Sequence, residues 1–266
     1  MPELSHDGIT LHYEVDGGGP PLILIPGMFS DCASWLPVVA PLAEHFTVIR
    51  PDLRGAGRTR PWDAPITLGT LAGDICALAD HLGHDRFAVA GHSLGGLVAL
   101  QVAGKVPGRI TALVALASTP MPSGRLPHLF NTLCQIRTAR GGEEIWLEAL
   151  FPWLFHDAFF RDPAAVATAV QASLEYPHAQ SLQAMQHQTQ ALGALRLRDL
   201  PRQLSCPALA LLAEADAMIA EPPARAAWQA LGAQVVTVAR AGHSLHWDQP
   251  ETTADAMVQF LERRVL

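Results

Sequence analysis

Residues 87–106 read FAVAGHSLGGLVALQVAGKV, and no other stretch restricts the fold as tightly. Phe87 to Ala90 is a short, continuous apolar run, as in a strand buried on both faces. It breaks at Gly91-His92-Ser93-Leu94-Gly95, and an apolar stretch of helical length continues to Val106. A strand that turns directly into a helix leaves room only for small flanking side chains, which Gly91 and Gly95 supply. Such a turn lifts the Ser93 hydroxyl clear of the sheet and aims the helix's first N–H groups at whatever the hydroxyl attacks. A bare Gly-x-Ser-x-Gly is equally a glycine-rich turn with an incidental serine; the strand before it and the helix after it give it chemical meaning.

The flanking sequence repeats the strand–helix pattern. Residues 9–15 alternate apolar and polar, as in a half-exposed strand, and Asp16 to Pro20 form a turn. Leu22 to Ile25 predict a central strand, Ser34 to Glu44 a helix, and Phe46 to Arg50 the next strand. Leu68 to Leu82 carries apolar residues at helical spacing, and Ala112 to Ala117 is another strand. From Met121 to Leu200 the alternation stops: no strand is evident, only helical segments punctuated by prolines. It resumes with the strand Pro207–Ala213, the helix Pro223–Leu231, the strand Val235–Ala239 and the helix Glu251–Val265. Strands alternating with helices imply an α/β fold with a mostly parallel sheet and helices on both faces. Residues 1–120 and 201–266 would form one core, with 121–200 an all-helical cap over the sheet's carboxyl edge.

Composition narrows the function classes. Charged residues are only 16% of the chain, against about a quarter in an average soluble protein, which suits a sheet covered on both faces. A net charge of −7 offers no basic stripe to neutralise phosphates, so no nucleic-acid partner is expected. Cys32, Cys76, Cys134 and Cys206 have no spacing that suggests a metal site, and neither metal nor organic cofactor is expected. The opening MPELSHDGIT lacks a basic segment followed by an apolar core, and no apolar run reaches membrane-spanning length. A cytoplasmic protein without membrane contact follows as the expectation, with homo-oligomerisation left open.

A serine hydroxyl is a weak nucleophile near neutral pH. It needs a histidine to take its proton, and the histidine needs a carboxylate to hold its tautomer. With a strand–helix elbow the three arrive in the order serine, acid, histidine, each just past a strand end. Val235–Ala239 is followed by Arg240-Ala241-Gly242-His243, so His243 is the candidate base, with Gly242 supplying freedom to turn it inward; His246 competes. Glu214 and Asp216 both follow the Pro207–Ala213 strand, and Asp216 lies at the better distance beyond it. The exit of the Ala112–Ala117 strand reads Ser118-Thr119-Pro120 and offers no acid. A tetrahedral oxyanion needs two N–H donors: the elbow offers Leu94, and Gly27 would let Met28 present the second. An ordinary strand-ending turn explains Pro26-Gly27 equally well.

Taken together, Leu22 to Met28, the Asp52-Leu53-Arg54-Gly55-Ala56-Gly57 loop, Gly91 to Gly96, Glu214-Ala215-Asp216 and Gly242-His243 before Gln249-Pro250-Glu251 resemble the α/β-hydrolase family, in particular its small cap-bearing bacterial members. The resemblance implies an eight-stranded sheet, Ser93 as nucleophile, Asp216 as acid, His243 as base, and Met28 and Leu94 as oxyanion donors. It also implies that Asp52 and Arg54 are structural. Relatives with an aspartate nucleophile are set aside by Ser93. Many relatives have His-Gly where this chain has Pro26-Gly27, so a polar group behind the oxyanion loop is missing.

The cap segment holds eight of the chain's 17 aromatics, six of them between Trp146 and Phe160, enough both to pack the cap and to line a pocket. Phe29, Trp146, Phe151, Trp153 and Phe155 are the candidate lining residues. Arg125, Arg137, Arg140 and Arg161 also fall there, and one facing inward would favour a carboxylate-bearing substrate. The expected function is hydrolysis of a small ester or lactone through an acyl-enzyme, with an enol-lactone of the 3-oxoadipate type as the specific expectation. C–C bond hydrolysis or a lyase reaction with the same three residues as proton shuttle is the rival within catalysis. A receptor that keeps the fold without turnover is the rival outside it.

Overall fold

In a computed structural model of the chain, residues 2–121, 123–194, 198 and 200–265 are described. The elements, in order, are β1 (Glu3–His6), β2 (Ile9–Asp16), β3 (Pro21–Ile25), a 3-10 turn (Cys32–Trp35), α1 (Leu36–Ala43), β4 (Thr47–Pro51), α2 (Leu68–His81), β5 (Phe87–His92), α3 (Leu94–Lys105) and β6 (Ile110–Leu116). Then come α4 (Arg125–Thr138), α5 (Gly142–Leu154), a 3-10 turn (Asp157–Arg161), α6 (Pro163–Leu174), α7 (Leu182–Gly193), β7 (Ala208–Ala213), α8 (Glu221–Ala230), β8 (Gln234–Val238), α9 (Leu245–Asp248) and α10 (Pro250–Val265). The strands form one eight-stranded sheet in the order β1-β2-β4-β3-β5-β6-β7-β8. Only β1 with β2 and β2 with β4 pair antiparallel; the remaining pairs are parallel.

The uninterrupted apolar strands have a direct cause. Along β3, Ile23 and Ile25 belong to one buried cluster while Leu22 and Leu24 belong to another, because successive side chains leave opposite faces of the sheet. Val89 and Leu113 join the first face, packed by α2, α3 and α8; Ala88, Ala90 and Val114 join the second, packed by α1 and α10. Along β3, β5, β6 and β7 almost every position therefore feeds a core, which leaves little room for polar residues.

The small differences from expectation have physical causes. β1 is a four-residue edge strand with every other position exposed, too short to carry a readable pattern. The helix expected from Ser34 begins as a 3-10 turn capped by Asp31, whose carboxylate accepts the Ala33 N–H at 2.9 Å, and becomes α-helical only at Leu36. Between β6 and β7 the described residues contain α4 to α7 and no strand; residues 122, 195–197 and 199 of that stretch lie outside the described residues. The helical segment sits over the loops at the carboxyl ends of the strands. The Tyr176 hydroxyl donates to Asp31 at 2.7 Å, His187 Nε2 lies 2.8 Å from the Ala64 carbonyl, and the Gln180 amide donates to the Gly55 carbonyl. That edge is where ligands bind in open parallel sheets.

Asp52 and Arg54 hold this scaffold. Asp52 is fully buried and accepts the N–H groups of Cys32 and Arg58 at 2.9 and 2.8 Å. Arg54 makes a two-pronged ion pair with buried Asp74, at 2.7 and 2.8 Å, and reaches Asp7 at 2.9 Å. No helix among the described residues is long and apolar enough to cross a membrane.

Candidate active site

Ser93 sits between β5 and α3 at φ 52°, ψ −114°, a conformation that costs a non-glycine residue about 1–3 kcal/mol. The surrounding chain holds it there: its N–H donates to Leu116 at 2.8 Å and its carbonyl accepts the Gly96 N–H at 3.0 Å. A Cβ on Gly91 would collide with the Gly95 carbonyl, and one on Gly95 with the Ile25 carbonyl. The two glycines are there for close backbone approach, since neither has positive φ.

His243, beyond β8, turns its Nδ1 to Asp216, beyond β7, at 2.9 and 3.1 Å from the two carboxylate oxygens. Both side chains are buried. Asp216 Oδ1 also accepts the N–H groups of Met218 and Ile219 at 2.8 and 2.9 Å, so the carboxylate is aimed from its own loop. Nδ1 bonded to a carboxylate leaves Nε2 as the ring's second nitrogen, and His243 borders the same cavity as Ser93. Glu214 goes elsewhere: it is exposed and accepts the Arg240 N–H at 2.8 Å, tying the β7 exit to the β8 exit.

His246 is buried, its ring stacked between Trp35 and His92 with centroids 5.0 and 4.7 Å away. Burial and then the nearby His243 lower its pKa to about 3, so it stays neutral and has no carboxylate partner. His92 lies behind His243, its Nε2 2.9 Å from the His243 carbonyl. Since a carbonyl only accepts, that nitrogen carries the proton. Its other nitrogen lies beside Gly27, 2.9 Å from where a Cβ would stand. A polar ring therefore does occupy the space behind the oxyanion loop, delivered from β5 rather than from residue 26.

No backbone partner is found for the Met28 or Leu94 N–H among the described residues. Both residues border space in front of Ser93. Phe29, next to Met28, has φ 60° and donates its N–H at 3.0 Å to Gln188 on α7.

Gln188 is one of several ties between the helical segment and the loops that carry the site. Arg125 on α4 donates to the carbonyls of Ala217 and Met218, at 3.0 and 2.9 Å, bracing the Asp216 loop. Ser244 donates its N–H to Leu154 at 2.8 Å, while Asp248 accepts the N–H groups of Gly242 and His156 at 2.8 and 2.9 Å. Gly242 itself has no positive φ; its role is closeness, because a Cβ there would stand 2.7–2.8 Å from backbone atoms of Leu154, Phe155 and His156. The expectation that it frees the chain to turn His243 is corrected accordingly. Nothing near Gln188 or Arg125 in sequence announces these ties; the Gln188 bond joins positions 159 residues apart.

Two cavities open on either side of Ser93. The larger, about 920 Å³, is bordered by Phe29, Trp146, Phe151 and Phe155, four of the five expected aromatics. Trp153 does not border either cavity. It follows Trp146 and Leu150 on the stripe of α5 that faces the core and stacks under the Arg125 guanidinium, 5.8 Å from the ring centre, while Leu147, Phe151 and Phe155 form the neighbouring stripe. The smaller cavity, about 360 Å³, has Leu94, Leu97, Leu126 and Ile219 among its walls. Of Arg125, Arg137, Arg140 and Arg161, Arg137 borders the larger cavity, but its Nε donates to Glu143 at 2.7 Å and its terminal nitrogen to the Gln180 carbonyl at 2.7 Å.

An eight-stranded, mostly parallel sheet with a serine on a strained strand–helix turn defines a hydrolase class, and the chain belongs to the alpha/beta hydrolase family, whose model matches residues 22–256. It is 31% identical over 220 residues to the protein named "Putative carbamate hydrolase RutD" of Variovorax paradoxus (strain S110), across 79% of this chain and 80% of that one. The enol-lactonase from Burkholderia xenovorans LB400 superposes with a TM-score of 0.82 at 26% identity, covering 98% of this chain and all of the other. A thermophilic esterase from Thermogutta terrifontis gives 0.84 at 24% identity over the full length of both, a likeness of fold.

Proposed function

We propose that the protein is a serine hydrolase that cleaves a small, neutral ester through an acyl-enzyme. The observation that carries this reading is the Asp216–His243 pair at 2.9 Å, with His243 bordering the same cavity as a serine held at positive φ. His243 takes the Ser93 proton as Oγ attacks the substrate carbonyl, and Asp216 stabilises the imidazolium that forms. The N–H groups of Met28 and Leu94 receive the oxyanion. His243 then protonates the leaving oxygen, the alcohol departs, and a water deprotonated by His243 releases the acid.

Arg137, already neutralised by Glu143, is a poor anchor for a free carboxylate, so an enol-lactone acid is the weaker form of this proposal. The likeness to a carbamate hydrolase supports a second substrate class, since a carbamate enters the same cycle at the same carbonyl. The test is labelling with a fluorophosphonate in wild type and Ser93→Ala, followed by turnover of esters, lactones and carbamates. Labelling lost in Ser93→Ala, with ester turnover lost beside it, is the expected result. An unlabelled wild type overturns the proposal, and labelling without turnover but with tight small-ligand binding favours a receptor.

A further inference from the structure

The reactive serine stands at the junction of two cavities of unequal size, and the residues around them differ in kind. Met28, Ser93 and Phe130 border both. His243 and His92 border only the larger one, and Leu94 only the smaller. With Ser93 as the nucleophile of a serine hydrolase, a reading on which this division of roles rests, chemistry fixes which half of a substrate each cavity receives.

In the tetrahedral intermediate the former carbonyl carbon carries four groups: Ser93 Oγ, the oxyanion, the leaving oxygen and the acyl chain. The oxyanion is committed to the N–H groups of Met28 and Leu94. The leaving oxygen must accept its proton from His243 Nε2, because the C–O bond breaks with the proton moving onto that oxygen while the acyl group stays on Oγ. The leaving group therefore lies on the His243 side. Only the direction away from His243 remains for the acyl chain, and there the smaller cavity opens beneath Leu97, Leu126 and Ile219.

We infer that the 360 Å³ cavity is the acyl site and the 920 Å³ cavity the leaving-group site, so the preferred substrate is an acyclic ester whose acyl arm is the smaller of the two and whose alcohol is bulky and apolar. A cavity of about 150 Å³ already accepts benzene, so the smaller site, at about 360 Å³, takes an acyl group somewhat over twice that size, and the larger, at about 920 Å³, takes about two and a half times as much as the smaller. The larger cavity also opens outward past Leu36 and Trp247, which are 56% and 47% exposed, so a long alcohol can extend to the surface. Phe130, packed edge-to-face on Phe29 with centroids 5.2 Å apart, stands where the two cavities meet. A lactone joins its acyl and alcohol arms in one ring and cannot fill both sides of that partition, which disfavours lactones against open esters.

The experiment uses two ester series on the intact protein. In the first, p-nitrophenol is held constant and the acyl chain grows from acetyl to hexadecanoyl; in the second, acetate is held constant and the alcohol grows from ethyl to hexyl to 2-(1-naphthyl)ethyl, alkyl alcohols of similar leaving ability. Each buried methylene is worth about a three- to fourfold gain. Thus kcat/KM should climb by tenfold or more along the alcohol series, whereas along the acyl series it should climb only until the smaller cavity is full and then fall by tenfold or more toward the longest chains. Leu126→Trp should move the acyl cut-off shorter and Leu126→Ala longer, with the ranking of alcohols retained in both. The opposite pattern, long acyl chains favoured and bulky alcohols rejected, overturns the assignment while leaving the hydrolase reading intact, as does a cut-off that Leu126 does not move. Absence of both fluorophosphonate labelling and turnover in every series overturns the two together.

Discussion

Gln188, on a helix that the chain reaches after leaving the sheet, accepts the N–H of Phe29 at 3.0 Å, and so holds the loop that carries Met28, the proposed oxyanion donor. Phe29 lies beyond the end of β3, and no backbone acceptor is found for its N–H among the described residues, so Gln188 supplies one. With Arg125 on the Asp216 loop and Leu154 and His156 on the His243 loop, the helical segment ties down the loops that carry Met28, Asp216 and His243. It acts on these loops as a brace.

Gln188→Leu should therefore act through Met28. The Phe29 N–H loses its acceptor and the loop relaxes, taking one oxyanion donor out of line. A lost donor costs about 10²–10³ in kcat, and partial misplacement less, so a ten- to hundredfold fall in kcat with KM changed only a few-fold is expected. Gln188→Glu keeps an acceptor in place and should recover most of the rate. Steady-state kinetics of the two variants, with urea unfolding as a control, separate this from general destabilisation.

The two carboxylates after β7 make a sharp comparison. Asp216→Asn preserves an oxygen for the Met218 and Ile219 N–H groups but cannot hold His243 in the working tautomer, so kcat should fall by about 10⁴. Glu214→Gln loses only a charge-assisted contact with Arg240 and should stay within a few-fold of wild type. Equal losses in both variants would contradict the assignment of Asp216 as the acid.

His246 gives the fold an acid-sensitive component. Its pKa is about 3 when buried, against about 6.5 when the chain is unfolded. A histidine lowered in this way contributes its full stability above pH 6.5, and that contribution is lost as pH falls below 6.5 toward 3, because only the unfolded chain takes up the proton. Between pH 7 and 5 the loss amounts to about 2 kcal/mol from this group alone. His246→Phe keeps a ring between Trp35 and His92 and removes the titration. Guanidinium unfolding at the two pH values should show the variant losing about 2 kcal/mol less than wild type; an unchanged difference contradicts the assignment.

Gly242→Ala inserts a methyl group against the backbone of residues 154–156, where no side chain can swing aside. Overpacking of this kind costs about 1–3 kcal/mol, and here the strain falls on the Ser244–Leu154 bond and on the loop that aims His243. Both the unfolding free energy and kcat should drop, whereas Gly108→Ala, which meets nothing within 4 Å, should leave kcat within a few-fold.

Some of these relationships are legible in the linear chain and some are not. The tight turn around Ser93 is written in Gly91 and Gly95, because the backbone there approaches itself within a few residues. Preferring Asp216 over Glu214 needs only its distance past a strand end. Gly242 stands out in the sequence for the wrong reason: a glycine suggests backbone freedom, and only the neighbouring segment shows that its missing Cβ makes room for Phe155. Trp153 resembles a pocket residue because composition counts aromatics, whereas the face of α5 on which each one falls decides what it touches.

The linear chain was enough to read the alternating strands and helices, the burial of the central strands on both faces and the tight turn at Ser93. These follow from local periodicity and turn chemistry, which act over a handful of residues. The tertiary structure alone decided which loops Gln188, Arg125 and Asp248 brace, that a ring from β5 fills the space behind Gly27, and that Ser93 divides a large cavity from a small one. Those contacts join positions up to 159 residues apart, and each depends on the direction a side chain takes once two elements have packed, for which a linear pattern holds no signal.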